Sequence, residues 1–246
     1  MLKEQFLRIF ELIDLIDDRS DPGSYFREFE SKITDPDRES VWTAREADFQ
    51  KLDDRAWNFL KAEAKPYLRI RKVDGRAWSQ LISALNEARG YIYLRSLGCT
   101  NVNFIPKAKC NGIETPDVRG NIGERIELCE VKTIHISEDT LRAQRNGDST
   151  STEVILSPGF LGKLDFAIEK AESQLLAYPL DGEAGRTVLI VINFDDRLAE
   201  YKVDYYAQID DHLGAQSKDE AELAFFNSRT AFHNAVKMIN AKVINE

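Results

Sequence analysis

Thr115-Pro116-Asp117 and Glu130-Val131-Lys132 bring together the residue types that could do chemistry, two carboxylates and one amine. On a strand successive side chains alternate between faces, so Glu130 and Lys132 project together and Val131 points away. Between the triplets lies Ile122-Gly123-Glu124-Arg125, and a two-residue hairpin with glycine at its first central position satisfies a type II′ turn. Counting back from Gly123-Glu124 sets Asp117 directly opposite Glu130. Directly opposed antiparallel residues face the same way, with Cβ atoms roughly 5 Å apart. Two carboxylates so placed beside an amine can hold a hard cation. A turn at Gly120-Asn121 would instead leave Asp117 about six residues, or about 20 Å, from Glu130 and abolish the pairing.

The pattern resembles the PD-(D/E)XK nuclease superfamily, with Pro116-Asp117 as its first half and Glu130-Val131-Lys132 as its second. The resemblance implies that Asp117, Glu130 and the backbone carbonyl of Val131 ligate a divalent cation while Lys132 positions or activates the attacking water. Mg²⁺ or Mn²⁺ is the implied ion, and Mg²⁺ suits a site of one or two carboxylates that leaves room for waters and a substrate phosphate. Many superfamily members also place a helix glutamate near the metal. Glu87, one turn before Tyr91, is the counterpart here, as a direct ligand or through water. Gln174-Leu175-Leu176-Ala177-Tyr178 resembles the Gln-x-x-x-Tyr motif of the RecB-like branch. Gln174 and Tyr178 share a helix face with Lys170, for which the resemblance implies a supporting or DNA-contacting role.

The elements that must position these groups can be read from periodicity. Trp78, Leu81, Ile82, Leu85, Ala88 and Ile92 recur at helical spacing, and Gly98 stands where a helix C-terminal glycine belongs. A strand around Val102 to Ile105 follows, then the hairpin. Phe160, Leu164, Ala167, Ile168, Ala171, Leu175 and Tyr178 mark a second amphipathic helix, and Thr187 to Phe194 reads as a short, fully buried strand. Helix, three strands, helix, strand is the core expected of the superfamily. The fold class expected is therefore α/β, a restriction-endonuclease-like mixed sheet flanked by helices, over residues 76–246. Residues 1–75 form an added N-terminal helical region.

In that region Leu2, Phe6, Ile9, Phe10, Ile13 and Ile16 form one apolar stripe, ended by Asp17-Asp18 and Asp21-Pro22-Gly23. Phe49, Leu52, Ala56, Phe59 and Leu60 form another, with Trp42 and Trp57 nearby, broken by Lys65-Pro66. These helices pack on the core, form a homodimer or partner surface, or sit beside substrate, and core packing is the usual outcome. The polar segment Ser137 to Ser157 reads as a loop, either a strand-contacting flap through Arg142 and Arg145 or a plain connection. A C-terminal helix is expected to carry Phe225, Phe232, Val236 and Ile239, with Ser217 and Glu220 as a capping box.

With 246 residues, 43% hydrophobic and 10% aromatic, the chain can bury a substantial core. A net charge of −9 and a pI near 5.1 argue against coating nucleic acid through broad positive potential. A local patch would have to come from Lys107, Lys109, Arg119, Lys132, Lys163 and Lys170, interleaved with Glu114, Glu124, Glu127 and Asp165. Three cysteines without a close pair indicate neither a disulfide framework nor a zinc knuckle. The first eighteen residues contain acids throughout and no basic-then-apolar run, and no stretch is long enough to span a bilayer. A reducing cytoplasm and no membrane are the expectation. The function expected is that of a divalent-metal-dependent deoxyribonuclease hydrolysing phosphodiester bonds in DNA. The alternative is a catalytically silent module of the same fold that binds nucleic acid or serves assembly.

Overall fold

The computed structural model describes residues 2–69, 77–107, 115–135, 156–180, 182–193, 202–214, 222–227 and 238–239. The N-terminal helices are α1 (Leu2–Gln5), α2 (Leu7–Ile13), α3 (Phe29–Lys32), α4 (Pro36–Gln50) and α5 (Asp54–Ala64). Then come α6 (Ala77–Ser96), β1 (Thr100–Phe104), β2 (Val118–Ile122), β3 (Arg125–His135), α7 (Pro158–Ala177) and β4 (Ala184–Asn193). The chain continues through α8 (Lys202–Gly214), β5 (Glu222–Asn227) and β6 (Met238–Ile239). One mixed sheet runs in the order β1-β2-β3-β4-β5-β6. Its β1, β2 and β3 are mutually antiparallel, β3, β4 and β5 run parallel, and β6 is antiparallel to β5.

Side-chain alternation along the central strands divides the interior into two cores. Cys129 and Val131 of β3, with Leu189 and Val191 of β4, join α6 and the N-terminal helices in one cluster. Leu128 and Ile134, with Val188, Ile190 and Ile192, join α7 and α8 in the other. From Val188 to Ile192 every side chain of β4 is buried, as a parallel strand covered on both faces requires.

Helix α6 is buried around most of its circumference, because the sheet lies on one side and α4 and α5 on the other. Several of its buried polar residues are accordingly paired. Arg45 Nη1 donates to Asn86 Oδ1 (3.3 Å), Asn86 Nδ2 donates to Thr133 Oγ1 on β3 (3.0 Å), and Arg89 pairs with Asp48 (3.7 Å). The helix ends at Gly98, whose φ of 85° suits glycine. Cys99 N–H donates to Leu94 O and Gly98 N–H to Arg95 O, the double bond pattern that closes a helix with a left-handed residue.

The second apolar stripe expected near the N-terminus divides into two helices. Asp53 stands in extended backbone at the start of α5 and accepts from Ala56 N–H at 2.8 Å, a cap that ends continuity with α4. The first stripe is interrupted at Phe6, and the start of α2 is satisfied from outside. Glu46 of α4, itself buried, accepts from Arg8 N–H and Ile9 N–H, both at 3.0 Å, so orphan N–H groups meet a carboxylate. Both stripes are buried in the same cluster as α6, the core-packing outcome among the three weighed.

The C-terminal helix expectation is corrected. Phe225 lies in β5, paired with Ile190 of β4, and Ile239 lies in β6. The contiguous apolar run Leu223 to Phe226 completes the sheet beside β4, and that pairing overrides the sparse helical spacing. Phe232, Val236 and the Ser217 capping box lie outside the described residues. Among the described residues of this part of the chain the helix is α8, where Ile209 and Leu213 pack into the α7 cluster. Lys109, Glu114, most of the Ser137 to Ser157 loop with Arg142 and Arg145, and Phe194 are likewise outside the described residues.

Candidate active site

The hairpin between β2 and β3 sets the geometry. Ile122 pairs with Arg125, leaving Gly123-Glu124 as a two-residue turn, and the ladder runs on to Val118 opposite Cys129. Gly123 has φ 60°, a conformation glycine adopts without the Cβ penalty. One position beyond the last pair, Asp117 stands across from Glu130, in the register expected from the Gly123-Glu124 turn. Asp117 Oδ2 accepts from Val131 N–H at 2.8 Å, and its carbonyl accepts from Ile105 N–H at 2.8 Å. The aspartate is therefore fixed to β3 on one side and to the end of β1 on the other. Val131 meets Asp117 through its N–H, whereas the resemblance implies a role for its carbonyl.

Glu130 and Lys132 share the face of β3 turned toward α7. Lys132 Nζ lies 2.6 Å from Glu130 Oε1 and also donates to Gln174 Oε1. Gln174 on α7 therefore holds the ammonium from across the interface. Lys170 is exposed on the same helix, and Tyr178 is half-buried against the α7 cluster at the helix end. Of the three residues with an implied supporting role, Gln174 is the one seen in contact with Lys132.

Glu87 reaches the site because α6 approaches the hairpin closely. Gly90 makes that approach possible: a Cβ there would lie 2.7 Å from Val131 Cγ2, 3.2 Å from Val118 Cγ2 and 3.3 Å from Cys129 Sγ. Glu87 sits one turn earlier on the same helix and is buried. Its Oε1 accepts from Lys107 Nζ at 2.8 Å. Lys107 also lies 3.9 Å from Glu63, so this member of the expected basic patch is engaged with acids.

The electrostatics follow from three carboxylates kept out of water near one another. Burial, then the neighbouring Asp117 charge, pushes Glu130 up to about 8 and Glu87 up to about 7. Asp117 is raised by burial, against the Val131 N–H bond and the Lys107 and Lys132 charges, which lower it. Lys132 only partly offsets the rise at Glu130, and Glu130 Oε2 is buried with no hydrogen-bond partner. An unpartnered buried carboxylate oxygen facing other acids is unfavourable for a polypeptide alone. The donor set, all hard oxygen, fits Mg²⁺ or Mn²⁺ through Asp117 and Glu130. Among the described residues, no three His, Cys, Asp or Glu side chains already converge as a ligand set. Glu87, in this arrangement, is committed to Lys107.

Sequence reasoning did not single out Gly90, although a glycine amid a helical apolar pattern is a recognised sign of close packing. It also missed the Arg45–Asn86–Thr133 chain and the Ser83 Oγ contact to His135 Nε2 (3.2 Å), which together tie α6 to the end of β3. No helix among the described residues is long and apolar enough to cross a membrane. Comparisons with protein-family models, with curated proteins and with solved structures find no match for this chain.

Proposed function

We propose that this chain is a divalent-metal-dependent nuclease of restriction-endonuclease-like fold that hydrolyses phosphodiester bonds in DNA. The observation that carries the proposal is the buried Asp117–Glu130 pair, with an orphaned carboxylate oxygen, set beside an ammonium clamped by Gln174. Such a group of charges is poorly suited to stabilising a fold, because buried acids of like charge oppose one another. It is well suited to a cation and an anionic substrate.

A Mg²⁺ or Mn²⁺ ion bound at Asp117 and Glu130 would supply charge neutralisation of the scissile phosphate and a lower pKa for water. The chain supplies the rest. Val131 N–H fixes the Asp117 carboxylate and Ile105 N–H fixes the Asp117 backbone, and the β3 pleat fixes Glu130 and Lys132 on one face. Lys132 Nζ, held between Glu130 and Gln174, orients the attacking water and stabilises negative charge as it develops on the phosphate.

The net charge of −9 favours a second reading, a silent module of the same fold. Incubation of plasmid and linear DNA with Mg²⁺, Mn²⁺ or chelator separates the two. Metal-dependent cleavage that disappears in Asp117→Ala is expected. Absence of cleavage by the wild type with either metal would overturn the nuclease reading.

A further inference from the structure

Lys107 stands apart from the other cations of the site. Its side chain is 57% exposed, yet it reaches Glu87, whose side chain is only 9% exposed. It lies two residues beyond Ile105, whose N–H is bonded to the Asp117 carbonyl, so the chain is anchored to the candidate site just before it. Lys132 approaches the acids from the α7 side of the sheet, and Lys107 approaches Glu87 from the solvent side. The described acids Glu87, Asp117 and Glu130, with Glu63 3.9 Å from Lys107, thus carry four potential negative charges against two ammonium groups. A dication entering there would compete with the more exposed of the two ammoniums.

We propose that Lys107 is a cation gate and phosphate contact: it is the counter-ion of Glu87 without metal, and metal binding transfers it to a backbone phosphate of the DNA substrate. The proposal rests on the metal-site reading above and adds a partner for the released ammonium. A lysine suits this role because its compact charge sits on a flexible four-carbon stem. The exposed stem lets the head exchange partners without moving β1. The exchange also links the two binding steps. Before metal arrives, the ammonium neutralises Glu87; afterwards it meets the substrate at the mouth of the site.

The test compares the full-length wild type with Lys107→Met, which keeps the stem and removes the charge, and Lys107→Arg, which keeps the charge. Mn²⁺ affinity is measured by calorimetry without DNA. Lys107→Met is expected to bind Mn²⁺ about tenfold more tightly, because the charged hydrogen bond to Glu87 that the entering dication must otherwise break is absent. Its melting temperature should fall without metal and recover with Mn²⁺, since Glu87 loses its counter-ion only in the metal-free state. Binding to a short DNA duplex at saturating Mn²⁺, followed by anisotropy before turnover, should weaken, and its log–log salt slope should shrink by about 0.9. Lys107→Arg should stay close to wild type in all three. Unchanged or weaker Mn²⁺ binding in Lys107→Met overturns the gate, and an unchanged DNA salt slope overturns the phosphate contact. A melting temperature lowered equally with and without Mn²⁺ marks Lys107 as a structural ion pair and also overturns the gate. Wild-type Mn²⁺ binding that is indifferent to Asp117→Ala overturns the metal-site reading itself, a result distinct from the other three.

Discussion

Replacing Glu130 with glutamine should make the metal-free protein more stable. Glu130 is raised from an ordinary 4.5 to about 8 by burial and by the Asp117 charge. A folded-state pKa above the unfolded one means that the folded chain holds the extra proton, so stability is highest below about 4.5 and falls as pH rises to about 8. At about 1.4 kcal/mol per tenfold, the full penalty at pH 8.5 is roughly 5 kcal/mol, with about 3 kcal/mol already present at pH 7. Glutamine removes the ionisation while keeping an oxygen for Lys132 Nζ. The net expectation is a gain of about 4 kcal/mol near pH 8, or roughly ten degrees in melting temperature for a chain of this size. Thermal and urea unfolding in chelator, from pH 5 to 8.5, would read it. The gain should vanish near pH 5. With Mg²⁺ the order should reverse, because wild type gains binding energy that the variant lacks. A Glu130→Gln protein less stable than wild type at every pH in chelator would refute the reasoning.

Lys132→Ala should leave the fold and most Mn²⁺ binding intact while cleavage falls about 100- to 1,000-fold, as when one transition-state donor is lost; equal cleavage rates in a plasmid assay would discard the assigned role. Gly90→Ala forces a methyl group to within 2.7 Å of Val131 Cγ2 and should cost about 1–3 kcal/mol in urea unfolding, with Mn²⁺ affinity weakened as α6 and Glu87 shift outward. Unaltered stability would show that α6 has room to spare. Because protons compete with the cation at the raised Glu130 and Glu87 carboxylates, Mn²⁺ affinity should climb from pH 6 and level off above about 8. A calorimetric affinity flat across that range would remove both acids from the binding step.

Local signals carried the hairpin. Gly123 with two strand-like flanks fixed the turn, and counting then fixed Asp117 against Glu130, since register is set by turn length. The stripes of α6 and α7 were equally plain, as was Gly98, whose left-handed φ closes α6. What escaped the sequence depends on pairs remote in the chain. Lys107 and Glu87, Lys132 and Gln174, and Asn86 and Thr133 meet only after the sheet and both helix layers are in place. The β5 error has the same origin. Leu223 to Phe226 becomes a strand because β4 offers an open edge, which no local periodicity records. Helix α8 leaves only a faint trace, the four-residue spacing of Ile209 and Leu213 on one face.

The two-residue turn at Gly123-Glu124 also determines how this site can change over generations. Side chains in a strand alternate, so adding or removing one residue between Asp117 and Glu130 turns one carboxylate to the opposite face. A one-residue change there is all-or-none, whereas a two-residue change keeps both acids on one face and alters only their spacing. A lineage can therefore lose the carboxylate pair through a single codon insertion or deletion while keeping the sheet. Recovering it requires the same length change in reverse, or a compensating bulge, and point substitutions in the turn do not restore the count. Inheritance of this site is thus recorded in the spacing between two residues as much as in their identities.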